Sequence, residues 1–163
     1  MIVRKAELHE LDDIMKIYAH ARKIMKENGN PHQWGDQWPD RQQIEEDIAE
    51  GGCYLVMEAE AIAGVFFMGL DPEPTYERIE AGAWLNDEPY AVLHRVAAAV
   101  GAKQVLKTAV DFAAQFRPQL RIDTHADNHK MQYLLEKYGF RHCGTIFVED
   151  QTPRLAYQRC ANL

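Results

Sequence analysis

The chain has 163 residues, of which 47% are hydrophobic and 26% are charged. This composition suits a single globular domain over residues 1–163 with a sizeable core. The formal net charge of -7 argues against nucleic-acid binding, because a negative surface repels phosphate backbones. Three scattered cysteines argue against a disulfide scaffold or a metal site, and no apolar run reaches membrane-spanning length. We therefore expect a cytoplasmic protein without a bound metal.

The N-terminal part predicts a strand, two helices and two more strands, at residues 2–4, 7–27, 41–50, 53–58 and 62–70. Apolar residues recur at helical spacing over 7–27, and the Gly29 to Pro31 run should end that helix. Asp40 can cap the second helix. The stretch 31–39 holds two tryptophans and is predicted to be a loop.

A long connection with three prolines follows at residues 71–89, and long ordered loops in compact domains are often functional. Beyond it, predicted strands at 91–98, 120–124, 141–148 and 154–159 alternate with predicted helices at 103–116 and 128–137. Strand-helix-strand units need right-handed crossovers, so this order predicts an α/β fold with a mixed sheet of about seven strands and helices on both faces.

The sequence resembles the GCN5-related N-acetyltransferase (GNAT) family, in particular a bacterial subgroup. The resemblance rests on residues 94–97, on Asp123 in a predicted strand, on Asn128 at the start of the next predicted helix, and on Gly139-Phe140 at the end of that helix. Residues 29–34 and 82–87 extend it upstream. It implies an acyltransferase fold in which acetyl-CoA lies between two neighbouring parallel strands that splay apart.

The resemblance assigns the pantetheine arm to one strand edge and one side chain. Backbone groups of Val96, Ala97 and Ala98 would pair with its amides as an added strand would. Asn128 can both donate to and accept from an amide, although its position at a helix start also suits a plain N-cap.

The pyrophosphate loop departs from the family pattern, because the usual pair of glycines is missing between the fourth strand and its helix. Gly101, Ala102, Lys103 and Gln104 stand there instead, so either these residues make the turn in a shifted register or CoA affinity is reduced. Lys103 and Lys107 can meet phosphate or can be ordinary solvated helix charges.

Acetyl transfer to an amine needs a base, and His94 is the first candidate because imidazole titrates near neutral pH. A half-buried strand histidine bonded to the backbone is the alternative interpretation. Glu80, Asp87 and Glu149 are the carboxylate candidates. The tyrosine that many family members use as the acid is replaced by Leu135.

Aromatic residues in the two loops predict the acceptor site. Trp34 and Trp84 are assigned to the substrate side and Trp38 to the core, although core anchoring is open for all three. His125 follows a strand and is expected in the cleft or at its mouth. The predicted activity is direct acetyl transfer to an amine of a small molecule or amino acid, and exposed apolar edges also allow a homodimer. A non-catalytic acyl-CoA sensor is the alternative.

Overall fold

In the computed structural model, residues 1–161 are described and form one seven-stranded sheet with four α-helices. The strands are β1 (Ile2–Lys5), β2 (Cys53–Glu58), β3 (Ala61–Gly69), β4 (Tyr90–Ala98), β5 (Gln119–Thr124), β6 (Arg141–Phe147) and β7 (Pro153–Cys160). The helices are α1 (Leu11–Glu27), α2 (Arg41–Ala49), α3 (Val105–Ala113) and α4 (His129–Lys137). Within the described range, no helix has both the length and the apolar character needed to cross a bilayer.

The strand order is β1-β2-β3-β4-β5-β7-β6. Strands β4 and β5 pair in parallel, and the other neighbouring pairs are antiparallel. A parallel pair needs a crossover, which α3 supplies. The predicted mixed α/β sheet of about seven strands is therefore confirmed.

Alternating side chains send two different cores to the two faces of the sheet. On one face, Val56 and Phe66 pack with residues of α3 and α4. On the other face, Leu55 and Val65 pack with residues of α1 and α2. Because neighbouring residues of a strand point to opposite faces, these short apolar strands are buried on both sides.

The long connection between β3 and β4 covers the part of the second face that α1 and α2 leave open. Its residue Tyr76 joins Val92, Ile146 and Ala156 in a third cluster. Val92 alternates along β4 with Ala91 and Leu93, which belong to the α3 face. This second face of the sheet is thus divided between two helices and a loop, and β4 lies under the boundary.

Most predicted element boundaries agree to within two residues, and the main differences have local causes. The predicted helix at 7–27 begins with a 3-10 turn, Leu8–Glu10, before α1 starts. Helix α3 begins at Val105 because the preceding Gln104 has a left-handed backbone, with φ of 65°. The predicted cap of α2 is confirmed, since the Asp40 carboxylate accepts the Gln43 N–H at 2.9 Å.

Candidate active site

Strands β4 and β5 pair only at their N-terminal ends. Three register pairs join them: Tyr90 with Gln119, Ala91 with Leu120, and Val92 with Arg121. Beyond Val92, β4 continues to Ala98 and β5 to Thr124 without pairing to each other. The two strands therefore separate from Leu93 onward, and beyond Val92 the backbone of β4 forms no ladder with β5.

A β-bulge in β4 lies directly at this separation. The register with β3 shifts between Phe67, opposite His94, and Val65, opposite Ala97. Within the bulge, Arg95 has a left-handed φ of 52°, which is uncommon for a residue with a long side chain. Bulges bend a strand and re-aim its groups, so this one turns the backbone of β4 away from β5.

Two buried side chains hold the bulge. The Arg95 guanidinium donates from Nε and Nη2 to the two oxygens of Asp47, at 2.8 and 2.9 Å. The Tyr18 hydroxyl donates to the Arg95 carbonyl oxygen at 2.8 Å. Asp47 is only 2% exposed, so this paired charge is well shielded from water. Helices α1 and α2 thereby lock the strained strand conformation in place.

His94 lies on β4 at the point of separation, between two carboxylates. Its Nε2 is 3.4 Å from Oε2 of Glu73, and its Nδ1 is 3.9 Å from Oδ2 of Asp123. The Tyr76 hydroxyl donates to the same Asp123 oxygen at 2.7 Å. The His94 side chain is 20% exposed, so the cluster forms a partly open floor rather than a sealed core.

The ionisation of this cluster follows from its burial and contacts. Burial raises the pKa of Glu73, but hydrogen bonds from His94 and Thr75 outweigh it and leave that pKa below its ordinary value. Burial, and then the Asp123 carboxylate, raise the pKa of Tyr76 well above its ordinary value. Near neutral pH, Glu73 is therefore an anion that accepts hydrogen bonds, and Tyr76 stays protonated as a donor.

Asn128, the predicted pantetheine ligand, is held by two internal partners. Its Oδ1 accepts the Met131 N–H at 3.1 Å, as an N-cap of α4 should. Its Nδ2 donates to Oε1 of Gln33 at 3.0 Å. The same Gln33 oxygen accepts from Nδ2 of Asn30 at 2.8 Å, so it ties the loop after α1 to the start of α4.

The loop between β4 and α3 makes a turn over residues 99–102, two residues before the Gly101 to Gln104 stretch proposed from the sequence. Gly101 has a φ of 74°, and the Ala102 N–H donates to the Ala99 carbonyl at 3.0 Å. No side chain caps the N-terminus of α3. The first N–H groups of this helix, next to exposed Lys103, suit an anion.

A family model described as acetyltransferase (GNAT) domain matches residues 1–141. The chain belongs to the GNAT family. This confirms the family resemblance predicted from the sequence. It also confirms the predicted enzyme class, a GNAT-type acyltransferase. No protein with a curated function matches the sequence significantly.

Solved structures agree with this assignment. A GNAT-family acetyltransferase from Streptococcus agalactiae is 30% identical, with a TM-score of 0.87 over 98% of this chain and 94% of that one. Another from Listeria monocytogenes is 23% identical, with a TM-score of 0.71 over 98% and 94%. GphF, a GNAT-like decarboxylase in complex with isobutyryl-CoA, shares the fold at 14% identity, a TM-score of 0.62, and 99% and 100% coverage. The GNAT fold thus holds acyl-CoA in that protein, where the reaction is a different one.

The aromatic residues assigned to the GNAT acceptor site are partly buried against other aromatic rings. Trp34 packs edge-on against Tyr18, with ring centroids 5.7 Å apart. Trp84 donates from Nε1 to the Tyr76 carbonyl at 2.9 Å, and the Arg121 guanidinium lies 4.1 Å from its ring centroid. Both tryptophans therefore pack against residues, Tyr18 and Tyr76, that lie beside the point where β4 and β5 separate. The prediction that Trp38 lies in the core is wrong, because it is 40% exposed in the loop.

His125 directly follows β5, at the end of the gap where β4 and β5 no longer pair, which we term the mouth. Its Nδ1 accepts the Asp127 N–H at 3.0 Å, which places any proton of the neutral ring on Nε2. Burial and the nearby charge of Arg154 lower its pKa, so the ring is neutral at pH 7. It can offer one N–H donor to a ligand at the mouth.

The three carboxylate candidates lie apart from His94. Glu80 pairs with Arg78 at 2.8 Å, and its backbone bridges to β6. Asp87 is exposed in a loop and Glu149 is exposed in a turn. Within residues 1–161, none of them lies within 4.0 Å of a His94 ring nitrogen, whereas Glu73 lies 3.4 Å from Nε2. The roles predicted for them stay predictions, and the fold does not group them with the histidine.

Sequence reasoning missed the partners of His94. Asp123 had a usable signal, because it alternates with apolar residues in β5 and so points away from the α3 face. Glu73 lies in the long proline-rich connection, where no periodicity indicates which way a side chain points. Tyr76 is likewise brought in by that connection and by nothing local.

Proposed function

We propose that this protein transfers the acetyl group of acetyl-CoA directly to an amine of a small molecule, with His94 as the base. The observation that supports this most is the separation of β4 and β5 after three register pairs, with the His94 cluster at its apex. A thioester arm in that gap would end beside the histidine. The amine would approach from the face that α1, α2 and the long connection share.

The residues present fit a CoA co-substrate at three places. The open edge of β4 can pair with pantetheine amides, and the uncapped N-terminus of α3 can hold the pyrophosphate. Lys103 is exposed beside it, whereas Lys107 is already paired with Asp111 at 2.7 Å. Asn128 uses one Nδ2–H for Gln33 and one Oδ1 lone pair for Met131, so its amide has the remaining donor and acceptor capacity to meet pantetheine.

His94 can take the proton that an attacking amine loses. An amine attacks a thioester only when it is neutral, so proton removal must accompany or precede bond formation. Glu73 faces Nε2 at 3.4 Å and orients the neutral ring by accepting its one N–H, which leaves Nδ1 to take the proton. The Asp123 carboxylate on the Nδ1 side then stabilises the imidazolium that forms. The amine nitrogen then bonds to the thioester carbon, and the carbon–sulfur bond breaks to release the CoA thiolate.

The leaving thiolate needs little help from an acid. Leu135 occupies the position of the usual tyrosine and is fully buried in the core. Tyr133 on the same helix is 65% exposed and points elsewhere. Thiols have a much lower pKa than alcohols or amines, so a thiolate leaves readily at neutral pH.

The test is a thiol-release assay against a panel of amines, with the wild type and His94→Gln. The variant should lose most of its turnover and retain its acetyl-CoA affinity in calorimetry, because the imidazole removes a proton and makes none of the proposed CoA contacts. Wild-type turnover in the variant would exclude His94 as the base.

A second candidate function is a non-catalytic acyl-CoA sensor. The observations that favour it are the loop without paired glycines and the engagement of Asn128 by Gln33. Calorimetric titration with acetyl-CoA and CoA separates the two. Binding with no thiol release on any amine supports the sensor, and thiol release on a single amine excludes it.

A further inference from the structure

Arg154 is a buried cation without an acidic partner on the acceptor face of the sheet. It lies on β7 and is 9% exposed. Its Nη1 donates to Oγ1 of Thr152 at 3.1 Å and to the Pro153 carbonyl at 3.0 Å, and its Nη2 donates to the Gln33 carbonyl at 3.1 Å. Within residues 1–161, it forms no ion pair with a carboxylate, and buried arginines are normally paired with one.

Arg154 faces the same side of the sheet as the His94 cluster. In the register of β5 with β7, Asp123 pairs with Ala156, which belongs to the cluster beneath the long connection. Arg154 is two residues from Ala156, so it points to that same face. Asp123 and Arg154 are therefore diagonal neighbours, roughly 7–8 Å apart between Cα atoms.

The guanidinium keeps donors for a ligand. Arginine has five N–H donors, and the three hydrogen bonds above use three of them, which leaves two. The charge is close to other groups at the mouth, since it lowers the pKa of His125. Burial lowers the pKa of Arg154 itself, and the carboxylates of Asp123 and Asp150, which lie beyond ion-pair distance, act in the opposite direction. The guanidinium therefore stays a cation with donors for an anion.

We propose that Arg154 binds the carboxylate of the acceptor, which is therefore a small amino acid rather than a simple amine. This rests on the proposed acetyl transfer. The amine end of the molecule lies beside His94, close to the carboxylates of Glu73 and Asp123. The ammonium loses one proton to water to become the neutral nucleophile, and it gives a second proton to His94 as the new N–C bond forms. The carboxylate lies at Arg154, and a fork of two donors matches its geometry. Positive and negative ends of one cleft thus select a molecule that carries both charges.

The test compares each standard amino acid with its carboxamide, in the wild type, Arg154→Gln and Arg159→Gln. The control Arg159 lies on the same strand but points to the opposite face, into the groove between α3 and α4. In the wild type, kcat/KM for the best acid should exceed that for its amide by about 10- to 100-fold, the effect of one charge-assisted contact. Arg154→Gln should bring this ratio close to unity through the KM of the acid, and Arg159→Gln should keep it.

Two results would overturn the assignment. One is a wild type that prefers amides or treats both alike. The other is an Arg154→Gln variant in which acid and amide lose the same factor, since that indicates a structural role of the Gln33 contact. If no amine releases thiol, the proposed transfer has failed, and calorimetric titration with the amino acids then tests whether Arg154 binds a carboxylate. An amino acid that binds to the wild type but not to Arg154→Gln supports this role of Arg154. If no amino acid binds, the role is refuted.

Discussion

Substitution of Asp47 by alanine isolates the contact that holds the bulge of β4. Asp47 lies on α2 and is 2% exposed, and both of its oxygens accept from Arg95 at 2.8 and 2.9 Å. It also accepts from Nε2 of Gln43 at 2.9 Å. Its removal leaves the guanidinium of Arg95, whose side chain is 14% exposed, without a counter-charge.

Removing one partner of a buried ion pair costs about 3–5 kcal/mol, because the other charge stays desolvated. The slight exposure of Arg95 lets water reach it, so we expect the lower end, about 3 kcal/mol. For a domain of this size, each kcal/mol lowers Tm by about 2–4 °C, which gives a drop of roughly 6–12 °C. Turnover should fall as well, since the left-handed conformation of Arg95 loses its main restraint.

Urea unfolding followed by circular dichroism measures this loss in the free energy of unfolding. Asp12→Ala is the matched control. Asp12 pairs with Arg41 at a similar 2.8 Å, but its side chain is 79% exposed. An exposed pair of this kind contributes less than about 1 kcal/mol. If Asp47→Ala is no more destabilised than Asp12→Ala, the bulge does not depend on this pair, and our account of the site geometry is wrong.

Three further predictions use other contacts. Asn128→Ala should weaken acetyl-CoA binding by about 1–3 kcal/mol in calorimetry if the amide meets pantetheine, and unchanged affinity would leave it a cap alone. Burial raises the pKa of Cys53 to about 12, so its reactive thiolate form is scarce at pH 7.5. Alkylation followed by mass spectrometry should therefore modify Cys160 first, and rapid labelling of Cys53 would contradict this burial. A Cβ on Gly82 would clash with the backbone carbonyl oxygen of Cys143 in β6, so Gly82→Ala should lower the free energy of unfolding by more than about 3 kcal/mol. Gly35→Ala, where only a positive φ is disturbed, should lower it by about 1 kcal/mol. Equal losses for the two glycines would show that the loop shifts freely.

The sequence predicted the elements well because each one carries a local signal. Helix α2 is preceded by a capping aspartate, and the strands are short apolar runs bounded by turns. Helix α3 was predicted two residues too early because a left-handed Gln104 has no sequence signature. Trp38 was misplaced because hydrophobicity alone does not tell which aromatic residue of a loop points inward.

The candidate site shows the same division between local and distant causes. The position of His94 on the fourth strand, and the class of chemistry it suits, followed from the order of strands and from the family resemblance. Its partners Glu73 and Asp123 did not, because they come from a long loop and from a neighbouring strand.

By itself, the sequence determined the order of strands and helices, the family and the strand that borders the cleft, since periodicity and turn residues act over a few positions. Only the tertiary structure decided where β4 leaves β5, which carboxylates face the histidine and that Arg154 has no acidic partner among the described residues. These features depend on sheet register and on a bulge held by a helix 48 residues earlier in the chain. The sequence around these residues does not indicate such contacts, because the free energy that places the residues comes from packing across the sheet.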